Sequence, residues 1–233
     1  MKILAVDSCS QVATCALLVD NTLVCEFVLN DKKTHSIKLL PQIEQMLLVA
    51  GLGVSEIDYF ACTVGPGSFT GQRIGVATVK GLAHATNKPT VSVSSLEAMA
   101  YNITHTDLLI CPIMDARREQ VYTATFKWEN GELICKENDR AMALSDLLDE
   151  LQNKPVIFLG DGVAVFKQKI IDALGKTAHF APDHLVHLRG GSVAYCAKKY
   201  ISHGKICDYN ALQPTYLRPC QAEREYKEKL ITK

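Results

Sequence analysis

The residues Gly65-Pro66-Gly67-Ser68-Phe69-Thr70-Gly71-Gln72-Arg73-Ile74-Gly75 are the stretch best suited to holding a phosphate or another close-packed group. Glycines let a backbone approach what a side chain would hold off. Three well-known loops use that property, and the spacing here fails each of them. A Walker loop needs glycine then lysine after four residues, and frames starting at Gly65 or Gly67 supply neither. The dinucleotide fingerprint finds Thr70 where its third glycine belongs, one residue before Gly71. The nucleophile elbow fails at Pro66 and Thr70.

The run before this loop, Tyr59 to Val64, is rich in β-branched and aromatic residues and predicts a buried strand. After it, Ser68 or Thr70 caps a helix that continues to about Thr86. Gly71, Gly75 and Gly81 lie inside that helix, and each costs up to about 1 kcal/mol relative to alanine. Gly71, Gly75 and Thr78 share a face with Leu82. Two readings stay open at this point: a tight crossing within the chain, or close approach of a ligand or a second chain.

Other chemistry-bearing residues read more plainly. His179, His184 and His187 lie in a proline-containing loop at no regular ligand spacing and read as solvated histidines. Arg117-Arg118-Glu119 and Lys198-Lys199 read as solvated charge runs. Nine cysteines occur without one Cys-x-x-Cys, which speaks against a zinc site or a disulfide framework. His35 leads a helix and caps it or meets a partner.

The elements that position these residues follow from periodicity. Strands are expected at Lys2 to Val6, Val12 to Val19 and Leu23 to Leu29, with Asp7-Ser8-Cys9-Ser10 and Asp20-Asn21 as turns. A helix runs from about Thr34 to Ala50, carrying Ile37, Leu40, Ile43 and Leu47 at helical spacing, with Leu39 and Met46 widening the stripe. Pro41 either kinks it or marks a later start. A strand at Thr90 to Val93 leads into a helix at Ser94 or Ser95.

A second unit begins near Asp107, with strands at Leu108 to Met114 and Gln120 to Trp128, then a turn at Asn130-Gly131. A helix follows at Leu144 to Leu151 behind a Ser145 and Asp146 start, then a strand at Val156 to Leu159 ending in Gly160-Asp161-Gly162. Helices at Val163 to Leu174 and Ser192 to His203, an extended Leu212 to Arg218 and a fraying Gln221 to Lys233 complete the chain. Two units that each open with antiparallel strands and then add helix-strand units predict an α/β fold with mixed sheets, that is, duplicated ribonuclease-H-like lobes, 1–104 and 105–233. The last segment of the second lobe is allowed to return to the first.

Bulk properties narrow the function classes. The 233 residues are 48% hydrophobic, ample for a packed core, and 25 basic residues balance 25 acidic ones. That balance gives no pull toward a nucleic-acid backbone, so any RNA connection runs through a partner. The chain opens directly into a strand, and no run reaches the roughly 18 apolar residues that span a bilayer. A cytoplasmic protein with reduced thiols and no membrane association is expected.

With the glycine segment on the page, the chain resembles the bacterial TsaB (YeaZ) family of tRNA threonylcarbamoyladenosine biosynthesis proteins. Further agreement comes from Ile3-Leu4-Ala5-Val6-Asp7-Ser8-Cys9-Ser10, His35-Ser36 with Leu39-Leu40-Pro41, Ser94-Ser95-Leu96-Glu97-Ala98, Met114-Asp115-Ala116-Arg117 and Pro214-Thr215-Tyr216-Leu217-Arg218. Gln72 departs from the leucine common in the family. The resemblance implies the two-lobed fold of acetate and sugar kinases, Hsp70 and actin.

It also implies kinship to the catalytic subunit TsaD, whose H-x-x-x-H metal pair is matched here by Ser95 and Met99. Neither is a fitting ligand in that setting. The implied function is a non-catalytic subunit that pairs with a TsaD-like catalytic subunit. With a TsaE-like ATPase, the pair modifies the adenosine beside the tRNA anticodon. No intrinsic cofactor or metal is implied, and ATP or ADP would be met only within the complex.

The implied pairing surface comprises His35, Ile37, Leu39, Leu40, Ile43 and Leu47 on the first helix and Gly71, Arg73, Ile74, Gly75, Thr78 and Leu82 on the second. The same surface would form homodimers when the partner is absent. Asp7, Ser8 and Ser10 stand where kinase-like relatives hold a phosphate loop, so they read as a nucleotide contact or as a structural turn. Gly160-Asp161-Gly162 likewise reads as a strand-to-helix turn or as a neighbour of adenine. The alternative function is a small-molecule kinase or ATPase of the same superfamily, with Asp7 orienting magnesium.

Overall fold

The computed structural model describes residues 1–31 and 35–218. The helix start expected at Thr34, together with Cys220 and the stretch Gln221 to Lys233, lies outside the described residues. The first sheet holds β1 (Lys2–Asp7), β2 (Ala13–Val19), β3 (Thr22–Leu29), β4 (Tyr59–Gly65) and β5 (Thr90–Ser94). Their order is β3-β2-β1-β4-β5, with β1 central, antiparallel to β2 and parallel to β4. Between β3 and β4 runs α1 (His35–Ala50), and between β4 and β5 runs α2 (Phe69–Thr86).

The second sheet repeats this plan. After α3 (Ser95–Ala100) come β6 (Leu109–Asp115), β7 (Gln120–Glu129), β8 (Glu132–Ala143), α4 (Leu144–Glu150), β9 (Val156–Leu159), α5 (Gly162–Leu174) and β10 (Ala178–Phe180). The order β10-β9-β6-β7-β8 is that of the first sheet, with β6 in the central place of β1. Each lobe is therefore a hairpin ribbon continued by two parallel strands, and the fold is two ribonuclease-H-like lobes with mixed sheets.

Packing arranges these parts in layers. Leu4, Val6, Phe60 and Cys62 meet Leu39, Ile43, Met46, Val76 and Val79, so α1 and α2 cover one face of the first sheet. The last helix, α6 (Gly190–Ser202), covers its other face, with Val193, Ala194 and Ala197 against Ile3, Ala5 and Leu18. The same core takes in α3 and, from the second sheet, Ile110, Met114 and Leu159. On the far side of the second sheet, Leu147, Phe166 and Ile170 close the structure. β1 is buried from Ile3 to Asp7 because both faces of its sheet are covered.

Some expectations need correction. β8 and β10 form two strands that periodicity missed, since β8 is a charged edge strand and β10 has three residues. α4 begins after Ala143 with no side-chain cap, so Ser145 and Asp146 lie within the helix rather than starting it. Pro41 sits inside α1. Residues 212–216 take no regular secondary structure and residues 217–218 form a bend, so the stretch joins neither sheet as a strand. The first lobe is built from both ends of the chain, because α6 and the segment after it pack on the first sheet.

Candidate functional site

The glycine loop is shaped by the turn it touches. Ser68 caps α2 by accepting from the Gly71 N–H at 3.2 Å. Pro66 follows a cis peptide, and Gly65 and Gly67 take φ of +125° and +154°, a region L side chains avoid. A Cβ on Gly67 would overlap the Cys9 carbonyl, and one on Gly71 the Ser8 carbonyl. One on Gly75 would lie 2.7 Å from Ser8 Oγ and 3.3 Å from Cys62 Sγ. The Ser8 hydroxyl in turn donates to the Gly71 carbonyl at 2.8 Å.

This corrects the expected pairing surface. Gly71 and Gly75 face the chain's own β1–β2 turn and cannot touch a partner. Leu39, Ile43 and Leu47 are likewise buried in the first lobe's core. α1 is apolar around most of its circumference, so spacing did not reveal which side met the sheet. Of the expected residues on α1, Ile37 (72% exposed) and Leu40 (52%) point outward, and His35 is half-buried with Nε2 3.1 Å from the Ser10 carbonyl oxygen. On α2, Arg73 is exposed while Ile74, Thr78 and Leu82 are half-buried.

The outward faces of the two helices form an open apolar and small-residue surface. Leu48, 71% exposed, continues the line of Ile37 and Leu40 one turn beyond Glu44. Ala77, Gly81 and Ala85 are exposed on α2, and a Cβ on Gly81 would meet nothing within 4 Å. Nothing inside the monomer requires that glycine. Leu48 and Gly81 are the residues missed; the i+11 spacing from Ile37 was the available signal for the first.

At the edge of this surface Arg73 is clasped by aromatic rings. Its guanidinium lies 3.9 Å over the Phe69 ring, and its Nε donates to the Tyr216 hydroxyl at 2.9 Å. Tyr216 follows Thr215, whose N–H donates to the Val64 carbonyl at 2.7 Å. Two residues on, the Arg218 guanidinium donates to the Ala116 carbonyl of the second lobe at 2.5 Å.

Between the lobes opens a cleft of about 680 Å³, bordered by Ser10, Gln11, His35, Asp115, Asp161 and Arg218 among others. Asp7 does not reach it. That side chain is wholly buried, with Oδ1 accepting from the Cys9 N–H at 2.9 Å and the Thr63 hydroxyl at 2.5 Å, and Oδ2 accepting from the Ser10 hydroxyl at 2.9 Å. Burial pushes its pKa up, and these hydrogen bonds oppose the rise. Asp7 and Ser8 thus build the turn, and of the three expected nucleotide contacts Ser10 alone borders the cleft.

Asp161, in the turn from β9 to α5, also borders the cleft and accepts from the Asp115 N–H at 3.2 Å. Its pKa is pushed up to about 6, first by burial and then by the nearby Asp115 and Asp7 carboxylates, against backbone hydrogen bonds from Asp115 and Gln11.

Ser95 and Met99 are sealed in the core between the sheets. His179 and His184 are exposed and His187 is half-buried. Among the described residues no group of three His, Cys, Asp or Glu side chains is placed to hold a metal ion. All eight described cysteines are free thiols, and burial pushes those of Cys15 and Cys111 up to about 12, far from the thiolate a nucleophile needs. No helix among the described residues is long and apolar enough to cross a membrane.

Comparisons with known proteins agree with this geometry. The family model described as TsaD, tRNA N6-adenosine threonylcarbamoyltransferase, matches residues 22–226. The chain is 36% identical over 230 residues to the tRNA threonylcarbamoyladenosine biosynthesis protein TsaB of Bacillus subtilis, covering 98% of this chain and 99% of that one. It is 29% identical to the TsaB of Haemophilus influenzae, covering 94% of each. The fold is that of the solved YeaZ from Pseudomonas aeruginosa, with a TM-score of 0.75 and 23% identity over 93% of this chain and 99% of that one.

Proposed function

Since the chain belongs to the TsaB family of tRNA threonylcarbamoyladenosine biosynthesis proteins, we propose that it serves this tRNA modification as a non-catalytic subunit that docks a TsaD-like catalytic subunit on the outer faces of α1 and α2. Gly81 carries the reading. A mid-helix glycine costs about 1 kcal/mol against alanine, and at this position no neighbour in the monomer demands it. A second helix pressed against Ala77, Gly81 and Ala85 supplies the reason, because small residues let helix axes approach and bring flanking side chains into contact. Ile37, Leu40 and Leu48 on α1 and Ile74 on α2 add the apolar area an interface core needs.

The remaining expectations fit the same reading. The chain holds no cofactor or metal of its own, works with a TsaE-like ATPase in the cytoplasm, and meets ATP, ADP and tRNA only within the assembled complex. The kinase alternative loses its chief residue, since a sealed Asp7 with both oxygens engaged has no room to orient magnesium or water. Co-purification with the TsaD-like protein of the same cell, followed by a modification assay with each chain omitted in turn, tests the proposal. The expected result is a stable complex and no modification without this chain. Full modification in its absence, or ATP turnover by this chain alone that Asp7→Ala removes, overturns it.

A further inference from the structure

α2 carries fixed charge of one sign only. From Phe69 to Thr86 it holds no aspartate or glutamate, while Arg73 and Lys80 lie on the side of the helix that Ala77 and Gly81 share. Neither cation is ion-paired among the described residues. Arg73 donates to the Tyr216 hydroxyl at 2.9 Å and Lys80 to the Asn210 carbonyl at 3.2 Å, both uncharged groups. Lys38, the one lysine of α1, is by contrast paired with Asp31. Arg73 is also held in place. Its guanidinium lies 3.9 Å over the Phe69 ring and 5.8 Å from the centre of the Tyr216 ring, and the Nε bond to Tyr216 fixes its plane. Both terminal nitrogens are left without a partner among the described residues. A guanidinium offered by that end fits a carboxylate with paired hydrogen bonds, and little side-chain freedom remains to be lost on binding.

We infer, resting on the docking reading above, that the catalytic subunit turns an acidic helix toward α2. One of its carboxylates takes the free end of Arg73 and a second lies near Lys80, with small or apolar residues between them. Two helical turns separate the two cations, so the carboxylates stand on the order of 10 Å apart. Like charge along a docking face selects a partner of the opposite sign. An RNA backbone would meet the same cations, but two of them supply few of the phosphate contacts that nucleic-acid binding needs. Glu44, exposed on α1, would repel it. Nor would a phosphate backbone use the apolar residues of the same face, Ile37 and Leu40.

Stopped-flow kinetics of the full chain with the TsaD-like protein of the same cell tests the inference. Arg73→Gln with Lys80→Gln should slow association about tenfold at about 50 mM salt and flatten its salt dependence. Arg73→Lys keeps the charge and hence the salt dependence, while dissociation quickens about tenfold for want of the paired hydrogen bonds. Tyr216→Phe loosens the hold on Arg73 but leaves its charge, and should change neither rate by more than about threefold. Gly81→Leu alters no charge and separates this inference from the docking reading. A complex broken by Gly81→Leu yet indifferent to the two glutamines leaves the docking face standing and overturns the acidic partner. Binding that ignores all of these changes overturns both. A loss with Tyr216→Phe as large as that with the glutamines, or tRNA binding by this chain alone that the glutamines abolish, also overturns the inference.

Discussion

Gly75→Ala tests whether the glycines of α2 are spent on the chain's own turn. In an open helix position the change stabilises by about 1 kcal/mol. Here the new methyl lies 2.7 Å from Ser8 Oγ and 3.3 Å from Cys62 Sγ, both buried. The Ser8 hydroxyl cannot swing aside without giving up its 2.8 Å bond to the Gly71 carbonyl, a loss of about 1 kcal/mol on top of roughly 1–3 kcal/mol of overpacking. The net effect is a destabilisation of about 1–3 kcal/mol, which lowers the melting temperature of a chain this size by roughly 2–12 °C. Gly81→Ala meets nothing within 4 Å and should raise it by about 2–4 °C. Circular dichroism melts of the two variants and of Gly75→Ala with Ser8→Ala make the assay. Removing the Ser8 oxygen should recover at least about 1 kcal/mol relative to additivity. A neutral Gly75→Ala, or a double variant that is merely additive, refutes the reasoning.

Two further outcomes follow from the cleft and its strap. Asp161 has a folded pKa of about 6, above the ordinary 3.8, so the folded state holds its proton more tightly and stability falls as pH rises from about 4 to about 6. Asp161→Asn should flatten that part of a urea-unfolding pH profile and gain on the order of 1–2 kcal/mol at pH 7; an unchanged slope contradicts the assignment. Arg73→Ala removes the clasp of Phe69 and Tyr216 and should cost no more than about 1 kcal/mol while speeding hydrogen exchange in residues 215–218. Exchange there at the wild-type rate counts against the clasp.

Much of the fold was legible because its strongest signals are local. β1, β4 and β9 are short apolar runs bounded by turn residues, and a strand covered on both faces must read that way. The hairpin-then-helix order of each half was enough to show the duplication. β8 escaped because an edge strand carrying Glu132, Lys136, Glu137 and Arg140 has no apolar alternation to detect. The orientation of α1 escaped for the opposite reason: with Ile37, Leu39, Leu40, Ile43, Leu47 and Leu48 apolar, periodicity did not decide which were core. Only the sheet beneath it separates Leu39, Ile43 and Leu47 from Ile37, Leu40 and Leu48. The glycines of α2 repeat the lesson. Gly71 and Gly75 answer to Ser8, more than 60 residues away in sequence, whereas Gly81 answers to nothing in the monomer, a difference no spacing rule encodes. The cleft residues Asp161 and Gln11 come together only when two lobes meet, so their proximity was invisible as well.

The account turns on the outer face of α1 and α2 being the surface that binds the catalytic subunit. The affinity of the purified chain for the TsaD-like protein, measured by titration calorimetry for wild type, Leu40→Glu and Gly81→Leu, tests it most directly. Both substitutions sit where the monomer has room, so melting temperatures should not fall, and should rise for Gly81→Leu, while the affinity falls at least 100-fold, about 2.7 kcal/mol. Wild-type affinity in both variants, with the fold intact, would contradict it.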